Sequence, residues 1–209
     1  MANLIDLLNG QLSDGLVESL AGQIGGADKK QTATAANGII SMITSALAKN
    51  AASPEGRNAL ASALDRDHDG SILDDLMGYA TGNMQQQAPQ NKMLNGTGIL
   101  KHILGGKQNG AIDMISQMSG LAKGQSGNLM AMLAPIVMGM LGKEKRQQNL
   151  DGGGLFDILN KSVRTSNAAP KKDLSIFEKF LDQDGDGSIK DDVAGFGLKW
   201  LAGKLFGRR

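Results

Sequence analysis

Residues 38–49 read GIISMITSALAK, and residues 132–143 read MLAPIVMGMLGK. Around the first, Ala36, Ile39, Ile40, Ile43 and Leu47 fall on one stripe at helical spacing. Around the second, Leu129, Met132, Leu133, Ile136, Val137, Met140 and Leu141 make a wider stripe of the same period. Both stretches are therefore core helices, and they stand 94 residues apart.

The segments on either side echo one another at nearly the same offset. LIDLLNGQLSDGLVESL (4–20) lies over ILKHILGGKQNGAIDMI (99–115), and NALASAL (58–64) over GGLFDIL (153–159), each shifted by 95 residues. Three apolar blocks in one order at near-constant spacing point to a duplicated helical unit. Nothing alternates with period two long enough to argue a strand. The expected fold is all-α: two related multi-helix repeats carrying EF-hand-like helix-loop-helix calcium loops. Ser53 before Pro54 predicts an N-cap with Pro at the first helical position, and Ser175 with Glu178 predicts a capping box. Pro135 predicts a kink in the second long helix or its first turn.

The expected layout follows. Residues 1–80 form an N-terminal repeat ending in a first calcium loop, and 81–98, rich in Gln and Asn, form a linker. A second repeat covers 99–160, a second linker 161–173, and residues 174–209 hold a helix, a second loop and a basic C-terminal helix.

Composition narrows the chemistry. Of 209 residues, 41% are apolar but only 3% aromatic, which suits close helix packing through Leu, Ile, Ala and Met. The absence of Cys excludes disulfides, thiolate metal sites and cysteine nucleophiles. His68 and His102 are the two histidines, too few for most zinc chemistry. The net charge of +1 conceals a split, −5 over residues 1–80 and +6 over 81–209. With scattered bases and almost no rings for stacking, the chain is not expected to bind nucleic acid. The opening MANLIDLLNG carries Asp6 and no basic stretch, so a secretory signal is not expected. The longest apolar run, 129–141, is thirteen residues, short of a bilayer span. The expected location is cytoplasmic, with signal-independent export left open.

Two further stretches share an unusual composition. Residues 65–75 read DRDHDGSILDD and residues 182–192 read DQDGDGSIKDD, each with five aspartates. In a helix-loop-helix calcium site, oxygens come from loop positions 1, 3, 5, 7, 9 and 12, and Gly at 6 makes the sharp bend. Asp65, Asp67, Asp69, Gly70 and Ser71 fill positions 1, 3, 5, 6 and 7 of loop one, and Asp182, Asp184, Asp186, Gly187 and Ser188 repeat them in loop two. Position 12, which usually carries a bidentate Glu, holds Leu76 and Val193. The closing acid is expected from Asp74 or Asp75, and from Asp191 or Asp192, with modest affinity. Ile72 and Ile189, at position 8, are expected to form a short backbone bridge if the loops pair, within one chain or between protomers. His68, at position 4, is expected to point outward as a bystander. The plainer alternative is a solvated turn whose aspartates cap the next helix. Capping needs one aspartate, however, and five in one turn repel unless a cation neutralises them.

Other features invite weaker readings. VAGFGLKWLAGKLFGRR (193–209) carries four bases and no acid, and Val193, Phe196, Trp200 and Leu201 share a helical face. Such a helix could lie on an anionic membrane surface or a partner, with calcium only structural, which is the alternative function. Met114, Met118, Met130, Met132, Met138 and Met140 are expected as core filler. KEKR (143–146) is expected as a solvated helix end. No phosphate loop, nucleophile elbow or HExxH motif occurs, and a non-enzymatic protein is expected.

The opening MANLIDLLNGQLSDGLVESLAGQIGG, the helix AANGIISMITSALAKN, the segment PEGRNALASALDRDHDGSILDDLMG and the C-terminal FLDQDGDGSIKDDVAGF together resemble the YidB-like bacterial family of unknown function. That resemblance implies an all-α, cytosolic and oligomeric protein, and it supplies no catalytic residues. The functional expectation rests on the loops: a calcium-binding helical protein with two Ca2+ sites, its partners being calcium itself and further copies of the chain.

Overall fold

The computed structural model describes residues 4–81 and 95–165. They form α1 (Leu4–Gln11), α2 (Asp14–Gln23), α3 (Lys29–Asn50), α4 (Pro54–Asp67), α5 (Leu76–Ala80), α6 (Gly96–Leu104), α7 (Gln108–Ser119), α8 (Lys123–Gln147) and α9 (Gly152–Thr165), with no strand among the described residues. Short 3-10 turns at Ser71–Asp75 and Gly105–Lys107 lead into α5 and α7.

Five of the helices, α2, α3, α4, α6 and α9, begin where the sequence supplies a side-chain acceptor for the orphan N–H groups of the first turn. Ser13 accepts from the Leu16 N–H, Asp28 from Gln31, Ser53 from Gly56 with Pro54 next to it, Asn95 from Gly98 and Asp151 from Gly154. The Gln125 side chain accepts from the Ala122 N–H at the start of α8. Gly120, left-handed at φ 78°, ends α7. The Ser53–Pro54 start is as the sequence predicts. Of the two places expected for Pro135, it takes the one inside the second long helix, the 25-residue α8, and not the first turn.

The helix lengths run 8, 10, 22 and 14 residues in α1–α4, and 9, 12, 25 and 14 in α6–α9. The two sets do not sit side by side as separate bodies. α3 packs on α7, α8 and α9, while α4 packs on α8 and α9, so each set fills the other's core. A single hydrophobic cluster runs through Leu8, Leu20, Ile39, Ile43, Leu64, Leu100, Ile115, Leu133, Val137, Leu141, Leu155 and Leu159. Met130, Met132, Met138 and Met140 are buried in it, and Met114 and Met118 pack against it half-buried.

Polar side chains fasten the two sets together. Leu4 N–H donates to the buried Ser162 Oγ at 2.9 Å, holding α1 on α9. Asn50 Nδ2 donates to the Ile103 carbonyl at 3.0 Å, joining α3 to α6. Arg57 donates to the Ala51 and Ala52 carbonyls beyond α3, and its guanidinium lies 4.6 Å from the centre of the Phe156 ring. The segment expected as a linker at 161–173 is in part helix, since α9 continues to Thr165. α6 likewise starts at Gly96, inside the expected 81–98 linker, because the Asn95 side chain caps it there.

Candidate functional site

Loop one begins inside a helix. α4 stays helical through Asp67, and His68 then leaves the helix at φ −136°. Gly70 adopts φ 87°, a left-handed conformation that a β-carbon resists, and the chain turns at the position where a calcium loop needs its bend. Ser71–Asp75 form the 3-10 turn and α5 follows.

The loop is seated on α8, across a notch of two glycines three residues apart. A β-carbon at Gly139 would stand 2.5 Å from Ile72 Cγ2, and one at Gly142 would collide with the backbone carbonyl of His68. A β-carbon on Gly70 would in turn meet Lys143 Cβ at 3.0 Å and the Gly139 carbonyl at 3.2 Å. Ile72 is 1% exposed and anchors the loop in the core. Its side chain therefore belongs to the α8 contact.

The charged end of α8 reaches the same loop. Lys145 Nζ meets Asp65 Oδ1 at 2.6 Å, with the lysine side chain only 14% exposed and the aspartate 59%. KEKR is thus not simply a solvated helix end. Arg66 Nη2 meets Asp67 Oδ2 at 2.7 Å. Asp69 Oδ1 accepts from Ser71 Oγ at 2.6 Å and from the Ser71 N–H at 3.0 Å. Those two hydrogen bonds hold the Asp69 carboxyl below the usual carboxylate range, and the positive field of Arg146 adds to the effect. Asp74 is exposed.

His68 corrects the expectation of an outward bystander. It is 5% exposed, and its Nδ1 is buried without a hydrogen-bond partner. Burial pushes the imidazole below its usual pKa, against the opposing pull of Asp67. The reason is the seat: Gly142 lets the backbone of His68 lie flat on α8, which turns the side chain away from water.

The donors of loop one are hard oxygens of the kind calcium takes, but in this conformation they are not gathered. No three acidic or histidine side chains converge among the described residues. Geometry explains this. Asp65 and Asp67 are two apart in a helix, which sets them about 200° around the axis from one another. The Asp75 side chain, and all of loop two with Asp182, Asp184, Asp186, Ser188, Asp191 and Asp192, lie outside the described residues. So do Ser175, Glu178 and the basic segment 193–209.

The residues that sequence reasoning missed are Gly139, Gly142, Lys145 and Arg146. The glycine pair left a signal, two small residues at one-turn spacing in an apolar helix, whereas nothing in the sequence ties Lys145 to a residue eighty positions earlier.

Fold and site together define an all-helical protein whose acidic loop is clasped by a glycine-notched central helix. No helix among the described residues is long and apolar enough to cross a membrane. The family model described as bacterial protein of unknown function, DUF937, matches residues 6–144, and the chain belongs to that family. The match takes in loop one and its glycine seat. No curated protein and no solved structure matches the chain.

Proposed function

We propose that this is a non-enzymatic calcium-binding helical protein, in which the loops at 65–75 and 182–192 each take one Ca2+ and so order or assemble the helices around them. The observation that supports this most is the backbone of loop one: an incoming helix, a left-handed Gly70 at the sixth position, Ser71 after it and a restarting helix. The finer resemblance, to YidB-like proteins with EF-hand-like loops, belongs to the same reading. Asp65, Asp67, Asp69, the Ser71 carbonyl and one of Asp74 or Asp75 would hold the first ion. Asp182, Asp184, Asp186, the Ser188 carbonyl and one of Asp191 or Asp192 would hold the second. Carboxylates at flexible spacing favour calcium over magnesium, which demands a near-ideal octahedron. Without a bidentate Glu at position 12, affinity falls in about the 10⁻⁵–10⁻³ M range.

Titration calorimetry on the full chain, after chelator treatment, tests this. Two equivalents of calcium should bind, Asp69→Asn and Asp186→Asn should each remove one, and calcium should raise the melting temperature. Absence of heat at millimolar calcium, with no change in melting temperature, would sink the reading.

A further inference from the structure

A pocket of about 670 Å³ opens between the end of α1, α2 and the first half of α3. That is the size of a small-molecule site. Leu12, Val17 and Ala33 supply apolar wall, and Asn9 and Asn37 supply amides. Both polar atoms of the Asn9 amide, Oδ1 and Nδ2, are buried and meet no hydrogen-bond partner within the protein. Burying an unpaired amide is costly to a fold, so such a group calls for a reason.

The second set of helices carries different residues at the matching places. At the offsets of 94 and 95 residues, Asn9 corresponds to Leu104, Asn37 to Ala131, Val17 to Ile112 and Ala33 to Gly127. There Ile112 packs toward Gly127, where a β-carbon would stand 3.4 Å from Ile112 Cδ1, and Leu104 is buried in the core. The first set has the shorter Val17 and the bulkier Ala33 instead, and both line the pocket. Its two amides thus stand where the other set has a leucine and an alanine, so packing alone does not require them. The charged part of the lining is balanced, Asp14 and Asp28 against Lys29 and Lys30. Lys29 Nζ stands 3.9 Å from both Asp14 and Glu18, and the Asp28 carboxylate accepts from the Gln31 N–H. Such a lining selects for neither sign of charge.

We propose that this pocket binds a small neutral molecule that carries an amide-like edge, a hydrogen-bond donor beside an acceptor. The Asn9 side chain turns toward the ligand and pairs with that edge through Nδ2 and Oδ1 together, the two-bond match an asparagine amide makes to such edges. The apolar body of the ligand lies along Leu12, Val17 and Ala33. The site is separate from the calcium loops and stands or falls without them.

Benzamide, a primary amide on an apolar ring, is the probe, titrated into the full chain. It should bind in about the millimolar range expected of a fragment. Acetophenone, with a methyl group in place of the NH2, should bind about fivefold more weakly, the loss of one hydrogen bond. Asn9→Leu should weaken benzamide about tenfold and raise the melting temperature, because it removes the unpaired amide. In the unaltered chain the Asn9 side-chain NH2 resonances, assigned from the Asn9→Asp spectrum, should shift in step with benzamide occupancy. Equal benzamide binding by Asn9→Leu, or equal binding of the two probes by the unaltered chain, would overturn the inference. If Asn9→Leu does not fold, the resonances decide, and an Asn9 signal unmoved at millimolar benzamide is equally fatal. None of these outcomes touches the calcium reading.

Discussion

The seating of loop one on α8 makes a quantitative claim about three glycines. In a helix interior, Gly→Ala gains up to about 1 kcal/mol from backbone propensity alone. At Gly22 in α2 nothing lies within 4 Å of the added methyl, so Gly22→Ala should gain a few tenths to about 1 kcal/mol. At Gly139 the methyl meets Ile72 Cγ2, a side-chain carbon that can rotate aside, and the cost of overpacking roughly cancels the propensity gain. At Gly142 the methyl meets a backbone carbonyl, which cannot move without lifting His68 and the loop from α8. That cost sits at the upper end of overpacking, about 3 kcal/mol, leaving a net loss of about 2 kcal/mol after the propensity gain. For a chain of this length such a loss lowers the melting temperature by about 4–8 °C. Urea unfolding of the three single variants in chelator measures the order directly. A Gly142→Ala protein as stable as Gly22→Ala would refute the seating, because it would mean that the His68 carbonyl does not lie against α8.

Two further outcomes follow from the same structure. Ser162→Ala removes the acceptor for the buried Leu4 N–H and should cost about 1–3 kcal/mol in urea unfolding, whereas the exposed Thr34→Ala should cost well under 1 kcal/mol. Tyr79, the single tyrosine, is 2% exposed, and burial pushes its phenol above the ordinary value of 10.0. A raised folded pKa means that the stability tied to neutral Tyr79 is complete below pH 10 and declines as pH rises, since the unfolded chain ionises first. Tyrosinate absorbance should therefore rise only together with unfolding in native protein and near pH 10 in urea; native titration near pH 10 would contradict the burial.

The all-helical class was legible because its signal is local and redundant. Stripes such as Ile39, Ile40, Ile43 and Leu47 give both period and burial, and Ser53–Pro54 states a helix start in two residues. How the two sets of helices share one core was not legible. An apolar stripe says that a residue is inside without saying against which helix, and α3 carries buried residues nearly all round. Pro135 left two places open for a related reason: its cost inside a helix depends on tertiary packing, and it does lie within α8.

Loop one shows where a motif stops being informative. Its spacing of aspartates specifies which oxygens are present, and Gly70 specifies the turn, because both depend on residues within the loop. How the carboxylates are partnered and how the loop is seated depend on Lys145, Gly139 and Gly142, which lie on another helix. The same dependence explains His68. By position it belongs to a solvent-facing corner of a free helix-loop-helix, and it is buried only because Gly142 admits its backbone to α8. A loop with the same eleven residues, but without a notched partner helix, would keep its acids in water and meet no ammonium from a second helix. Loop one is therefore wired to the central helix of the core. A change at loop one reaches α4 and α8 together, because the loop continues from one and lies against the other.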